Sequence, residues 1–285
     1  MKIIIDCDNT FGVAGCDIDD GLAILYALGT RRADILGITT TFGNNTLEVT
    51  HPTTVSFMEK IGHGHVPVIR GHESAHEENA AAKFLVEAAN QHLGDLSILA
   101  IGSLTNLYHA WLLDNTFFEK LDKLSMMGGV TQPLIIAGKQ LGELNFSCSA
   151  TAAFNVLTHA KSLIIATGNN CLAALSTTAR FNQLAQSQSP FLRWLQQTGS
   201  YWFEREYGEY GIEGIYKWDV YAAAALLHPE FFEENVTTLT FDEETIKRGM
   251  LIGSGAKKCA NLPTVKDSSV FEEHIYQIYA QFAQL

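Results

Sequence analysis

The chain has 285 residues, of which 31 are acidic and 19 are basic, giving a formal net charge of −12 at neutral pH. A protein that grips a nucleic-acid backbone needs clustered Lys and Arg, and no basic run occurs here, so we expect no nucleic-acid partner. No apolar run reaches the roughly 18 residues that a membrane-spanning helix requires, so we expect no membrane partner either. Five cysteines without CxxC spacing argue against a disulfide framework or a zinc site.

Length and linker composition predict a single domain covering residues 1–285. One α/β domain can reach this size, and no Pro/Ser-rich or low-complexity segment divides the chain. The sequence opens directly on a strand pattern without a charged-then-apolar leader, so we expect a soluble, cytoplasmic protein.

Short β-rich apolar runs alternate with longer helical patterns, which predicts an α/β fold with a mostly parallel central sheet flanked by helices on both faces. The predicted strands cover residues 3–7, 35–42, 66–69, 97–101, 121–127, 162–166, 236–241, 249–252 and 257–265. Helices are predicted from about residue 19, over 47–61, about 77–92, 105–113, 220–227 and 269–282, and after a cap near Ser147 or Ser149. The segment 187–217 is predicted to be helical at first and loop-like around its glycines, where it could form a lid.

An acidic cluster follows the first predicted strand. Its five carboxylates, which fall within fifteen residues, are Asp6, Asp8, Asp17, Asp19 and Asp20. Holding them together at neutral pH costs on the order of several kcal/mol unless a cation neutralises them or some stay protonated. A hard cation with oxygen ligands, Ca²⁺ or Mg²⁺, is the first hypothesis, and a solvated loop that caps the next helix is the alternative. The position at the carboxyl end of a strand favours a site.

Polar groups follow other predicted strands in the same way. Asp8, Asn44, Gly102 and Gly129 each come after an apolar strand, and Asp219 opens a helix. Because the carboxyl ends of parallel strands meet at one edge of a sheet, we expect these groups to converge on a pocket.

The opening residues alone resemble the first motif of haloacid-dehalogenase-type phosphatases, an apolar strand followed by Asp-x-Asp-x-Thr. That resemblance implies Asp6 as nucleophile, Asp8 as acid/base and Thr10 as a phosphate contact, with Mg²⁺ as counter-charge. The later Ser or Thr, the Lys and the second acidic pair of that family are not evident on the later strands. A Mg²⁺-dependent phosphatase is therefore an alternative hypothesis.

The chain as a whole, from residue 3 to about residue 282, resembles the inosine–uridine-preferring nucleoside hydrolases. The matching stations, in chain order, are Asp6-x-Asp8 with Asp19-Asp20, GITTTFGNN containing Asn44, AIGSLTNL with Ser103 in place of a family proline, MMGG followed by Glu143-Leu144-Asn145, Trp218-Asp219, and the RGM of residues 248–250. Each station alone is a weak signal, but together, in the family's order, they are specific.

The resemblance implies hydrolysis of the N-glycosidic bond of ribonucleosides to base and ribose, using a calcium-bound water. The implied Ca²⁺ ligands are Asp8, Asp20, Asp219 and the backbone carbonyl of Ile101, and Asp8 is also the implied base. The residues implied to hold ribose hydroxyls are Asp19, Asn44, Glu143 and Asn145, while Asp6 would orient its neighbours. The resemblance also implies a homo-oligomer, a dimer or tetramer. A non-catalytic nucleoside or sugar binder of the same fold is a further alternative.

The chain departs from the family pattern at three places. The spacing from Asp8 to Asp19 is longer than the family's, so the intervening segment must loop out and return, which leaves Asp17 without a role. Ala137 falls near a family asparagine that contacts the 5′ end of the sugar. Trp218 stands where nonspecific members have histidine and purine-preferring members have tryptophan.

Trp218 favours purine nucleosides, because stacking a base on an aromatic ring contributes roughly 1–3 kcal/mol. The resemblance then implies leaving-group activation by stacking and solvent rather than by a histidine. Candidates for a second stacking ring are Tyr207, Tyr210 and Tyr216.

Overall fold

The computed structural model describes residues 1–73 and 79–283. The strands are β1 (Lys2–Cys7), β2 (Asp34–Thr40), β3 (Val68–Arg70), β4 (Leu96–Ala100), β5 (Leu121–Met127), β6 (Leu134–Ile136), β7 (Lys139–Leu141), β8 (Leu163–Ala166), β9 (Leu175–Thr177), β10 (Gly214–Tyr216), β11 (Phe232–Glu233), β12 (Val236–Phe241), β13 (Ala256–Asn261) and β14 (Thr264–Val265). The α-helices are α1 (Asp19–Gly29), α2 (Leu47–Lys60), α3 (Ala80–Gln91), α4 (Thr105–Leu113), α5 (Ala150–His159), α6 (Gly168–Cys171), α7 (Thr178–Asn182), α8 (Pro190–Tyr210), α9 (Trp218–Leu227), α10 (Glu243–Ile246) and α11 (Ser268–Phe282).

Eight strands form the central sheet in the order β12-β13-β8-β5-β4-β1-β2-β3. Every neighbouring pair is parallel except β12 and β13, which are antiparallel. Helices α1, α9 and α11 pack on one face, and α3, α4 and α5 pack on the other. The predicted α/β class with a mostly parallel sheet is confirmed.

The central strand β1 shows why the sequence reads as an unbroken apolar run. Ile3 and Ile5 belong to the core on one face of the sheet, and Ile4 belongs to the core on the other. A strand buried on both faces has no solvent side to carry polar residues, so after the partly exposed Lys2 the next polar side chains are Asp6 near its carboxyl end and Asp8 just beyond it. That arrangement sets the acidic residues on the edge where the site forms.

The structure corrects several predicted elements. Residues 249–252 are not a strand, because they make only isolated bridges from Met250 to Val130 and from Ile252 to Thr240. The predicted strand 257–265 divides into β13 and β14 around Pro263, which lacks an N–H for a sheet bond. Helix α8 continues through Gly208, which was expected to lie in a loop, and ends at Tyr210, with Gly211 as its C-cap.

Helix α4 begins at Thr105, as predicted. No side chain caps this helix. The Ser103 hydroxyl is instead bonded to the Thr41 hydroxyl at 2.6 Å, and Asn106 donates to Asp6. The predicted start of the third helix, near Glu77, lies outside the described residues, and α3 is seen from residue 80 onward.

All five cysteines are free, as their spacing predicted. In the described ranges, 1–73 and 79–283, no helix is long and apolar enough to cross a membrane.

Candidate active site

The site forms where β1, β2 and β4 end beside the first turns of α1 and α9. The backbone N–H of Asp8 donates to Asp20 Oδ1 at 3.1 Å, and Asn44 Nδ2 donates to Asp20 Oδ2 at 3.0 Å. The backbone N–H of Asn44 donates in turn to Asp8 Oδ2. The residues after two different strands, Asp8 and Asn44, are thereby tied to one carboxylate of α1.

Three carboxylates meet at the helix starts. Asp19, Asp20 and Asp219 each place an oxygen within 4.8 Å of the others, and all three are buried. They occupy the first turns of α1 and α9, where exposed backbone N–H groups favour negative charge. The structure therefore groups Asp20 and Asp219 as predicted and adds Asp19, which was assigned to the sugar.

Asp8 lies directly beside this group and is fully buried. Its Oδ1 has no hydrogen-bond partner among the described residues, although its Oδ2 accepts from Asn44. A Cβ on Gly102 would lie 2.8 Å from Oδ1, and a Cβ on Gly43 would lie 2.3 Å from Oδ2. Backbone without side chains thus surrounds the carboxylate closely, and leaving one buried oxygen unpaired costs about 1–3 kcal/mol or more.

Burial raises the pKa of Asp8 and of Asp19 to about 6. Burial, reinforced by the charges of the neighbouring carboxylates, raises the pKa of Asp20 and of Asp219 well above the usual range. Such a group needs protons or a cation to offset its repulsion. The donor set contains only oxygen atoms and includes the unpaired Asp8 Oδ1, so the residues fit a hard divalent cation.

The carbonyl of Ile101, predicted as a backbone ligand, accepts a hydrogen bond from Asn145 Nδ2 at 3.1 Å. The same Nδ2 donates to the carbonyl of Met127 at 3.1 Å, so Asn145 ties the ends of β4 and β5 together. A carbonyl oxygen has two lone pairs, which leaves one on Ile101 for a ligand.

A cavity of about 380 Å³ opens above these carboxylates. Asp8 and Asp20 lie deeper, with 0% and 1% of their surface exposed. The predicted site residues that line the cavity are Asp19, Asn44, Ile101, Glu143, Asn145, Trp218 and Asp219.

Glu143 is held by backbone amides on both sides of its carboxylate. The N–H of Phe146 donates to Oε1 at 2.9 Å, and the N–H of Ser147 donates to Oε2 at 3.1 Å. Gly249 has a φ of 69°, and a Cβ there would lie 2.4 Å from the Cβ of Glu143. The RGM segment, residues 248–250, therefore contributes Gly249, which packs directly against Glu143, although this segment is not a strand.

Asp6 bonds to groups outside the cavity. Its Oδ1 accepts from Thr39 Oγ1 at 2.5 Å and from Asn106 Nδ2 at 2.8 Å, and burial raises its pKa to about 7. Asp6 is fully buried and is not among the residues that line the cavity. Its contacts suit the supporting role that was expected of it.

The segment between Asp8 and Asp19 loops out and returns, as its length predicted. Gly12 and Gly15 turn the chain with φ of 88° and 81°. Asp17, which had no assigned role, lines the cavity while its Oδ1 accepts the N–H groups of Ile18 at 2.6 Å and Asp19 at 3.3 Å. Asp17 therefore orders the entry into α1.

Helix α8 contributes two cavity side chains that the sequence reasoning missed, Trp202 and Glu206. Together with Tyr210, which also lines the cavity, they are spaced four residues apart and mark one helix face. That periodicity was available in the sequence. Among the candidate rings, Tyr210 reaches the cavity, whereas Tyr207 is 59% exposed and Tyr216 packs against Trp218 with ring centroids 5.1 Å apart.

A carboxylate-lined cavity at the carboxyl edge of a parallel sheet is the arrangement in which α/β enzymes bind small substrates. The sequence model of one protein family, the inosine-uridine preferring nucleoside hydrolases, matches residues 3–273. The chain belongs to this family and is a nucleoside hydrolase, a hydrolase of the glycosidase type.

The chain resembles relatives whose names give different substrates, uridine for one and purine nucleosides for another. The "Probable uridine nucleosidase 1" of Oryza sativa subsp. japonica is 27% identical over 289 residues, covering 90% of this chain and 86% of the relative. A purine-preferring ribonucleoside hydrolase from Gardnerella vaginalis has a similar structure, with a TM-score of 0.84, 20% identity and full coverage of both chains. A plant nucleoside hydrolase superposes with a TM-score of 0.83 at 20% identity, covering 99% of this chain and 98% of that one.

Family membership excludes the phosphatase hypothesis, which depended on the opening motif alone. Asp6, the nucleophile of that hypothesis, bonds to Thr39 and Asn106 and is not among the residues that line the cavity.

Proposed function

We propose that this hydrolase cleaves purine ribonucleosides to base and ribose with the help of Ca²⁺. The ligands in this proposal are Asp8, Asp20, Asp219 and the carbonyl of Ile101. The observation that carries it is the buried carboxylate group beneath the cavity, in which Asp8 Oδ1 has no partner among the described residues. Oxygen-only donors favour Ca²⁺ or Mg²⁺, and the family resemblance favours Ca²⁺.

Breaking an N-ribosidic bond passes through a state in which the sugar carries positive charge, as in other glycoside hydrolyses. Bound Ca²⁺ would orient the ribose diol and make the attacking water more acidic. Asp8 takes the proton from that water. The ribose hydroxyls are held by side chains that line the cavity, namely Asp19, Asn44, Glu143 and Asn145.

The preference for purines is supported by the aromatic side chains of the cavity. Trp218 and Trp202 both line it, and large flat rings stack best on large flat bases. The substrates named for relatives include both uridine and purines, so the measurement must cover both classes.

The test is release of reducing sugar from inosine, adenosine, guanosine, uridine and cytidine, with Ca²⁺ present and after chelation. We expect the purine nucleosides to be cleaved fastest and chelation to abolish turnover until Ca²⁺ is restored. Asp8→Asn should be more damaging than Asp6→Asn, because only Asp8 acts on water. No sugar release from any nucleoside would refute the proposal, and faster cleavage of uridine would refute the purine preference alone.

The family resemblance also supports a homo-oligomer, a dimer or tetramer. Light scattering of the purified protein measures this directly, and a monomer at micromolar concentration would contradict it.

A further inference from the structure

Glu206 is a carboxyl group of the cavity that the proposed function does not use. It lies on α8, only 8% exposed, and lines the same cavity as Trp218 and Asp219. The other cavity carboxylates with proposed roles come from the β1–α1 segment, from Glu143 and from α9. Glu206 therefore approaches the substrate space from a separate element.

A structural ion pair does not account for this position. Glu206 Oε1 lies 3.2 Å from Arg205 Nη1, but Arg205 also pairs with Glu209 at 3.1 Å and lies over the ring of Trp202 at 4.3 Å. The Arg205 side chain is 41% exposed, and exposed ion pairs contribute little to stability. Burying Glu206 to form such a pair would therefore not increase the stability of the fold.

The environment of Glu206 suits a proton donor. Burial, together with the charges of Asp17 and Glu209, raises its pKa to about 7, although the Arg205 charge opposes the shift. A carboxyl group with this pKa is protonated in a large fraction of molecules near neutral pH, which is the condition for general acid catalysis.

The departing base creates a need that no other part of the proposed mechanism meets. A heterocycle that leaves as an anion is a poor leaving group, and Trp218, whose indole N–H does not act as an acid, stands where a histidine could have supplied a proton. Stacking holds the ring but transfers no proton.

On the basis of the proposed function, we propose that Glu206 is the general acid that protonates the departing base. The C1′–N bond breaks and its electron pair goes to the base, while the Glu206 proton moves to a ring nitrogen. Water adds to C1′ and gives its proton to Asp8. Glu206 then regains a proton from solvent and Asp8 loses one, so that nucleoside and water become base and ribose.

The experiment compares Glu206→Gln with wild type on two substrates. One is the nucleoside that the wild type cleaves fastest, and the other is p-nitrophenyl β-D-ribofuranoside, whose nitrophenolate departs without a proton. We expect kcat on the nucleoside to fall by roughly 10²–10⁴-fold, the usual contribution of a general acid, and kcat on the nitrophenyl riboside to stay unchanged. Retained turnover of the riboside also shows that the variant is folded.

Glu204→Gln is the matched control, because Glu204 is an exposed carboxyl on the same helix, and it should leave both rates unchanged. The wild-type kcat/KM on the nucleoside should fall as the pH rises above about 7, since the acid form of Glu206 is then lost. Glu206→Gln should lack this alkaline limb.

Equal losses on both substrates, or no loss on either, would overturn the role of Glu206 while leaving the proposed function intact. Failure of the wild type to cleave either substrate would overturn the proposed function and the role of Glu206 with it.

Discussion

Removing metal from this protein should make its stability fall as the pH rises from 5 to 7.5. The buried carboxyls of Asp8 and Asp19 have pKa values of about 6 in the folded chain, against 3.8 for an ordinary aspartate. The folded state therefore binds more protons than the unfolded state in this window, and stability is lost as the pH rises through the folded pKa. The pKa of each group lies about one unit above pH 5, so each group contributes about 1.4 kcal/mol less to the free energy of unfolding at pH 7.5 than at pH 5. Asp20 and Asp219 are shifted in the same direction and add to the loss.

Urea denaturation at the two pH values, after chelation and again with excess Ca²⁺, measures this effect. With Ca²⁺ the trend should flatten or reverse, because cation binding requires deprotonated carboxylates and stabilises the folded state. Asp20→Asn should weaken the pH dependence of the metal-free protein, whereas Asp34→Asn at an exposed position should leave it intact. A metal-free protein that is more stable at pH 7.5 than at pH 5 would refute the reasoning.

Two substitutions test the walls of the cavity. Gly249→Ala should lower kcat/KM strongly, because the added Cβ would lie 2.4 Å from the Cβ of Glu143, at a backbone φ of 69°. The control is Gly208→Ala, whose Cβ would meet nothing within 4 Å and which should be as active as wild type. Equal activity of the two variants would contradict the tight contact at Gly249. Trp218→Ala should weaken purine nucleoside cleavage by about 1–3 kcal/mol in kcat/KM, with a smaller effect on uridine; an equal loss on both would argue against base stacking.

The parallel sheet could be predicted from sequence because its strands are buried on both faces. Such strands are continuous apolar runs, like the three isoleucines of β1, and these runs are easy to recognise in the sequence. The short edge elements failed for the opposite reason. Residues 249–252 form only single bridges, one to Thr240 and one to Val130, which is far away in sequence, and no local pattern encodes the second contact.

The candidate site divides in the same way. Asp19, Asp20 and Asp219 could be selected because they open helices in motifs of the family, and the structure brings them together. Glu206 and Trp202 could not be selected by motif, since they lie on a helix whose packing against the cavity is a tertiary fact. Their spacing of four residues was visible, but a stripe of this kind on an amphipathic helix more often indicates core packing.

The inserted loop between Asp8 and Asp19 packs against α8, and this packing explains how the family's site tolerates the longer spacing between the two aspartates. Phe11 of the loop packs against Trp194 of α8 with ring centroids 5.7 Å apart, and the Tyr201 hydroxyl of the same helix donates to the carbonyl of Cys16 at 2.9 Å. The helix that holds the loop in place is the helix that carries Glu206 into the cavity. Any change that frees the loop should therefore disturb both Asp17 at the start of α1 and the position of the proposed acid.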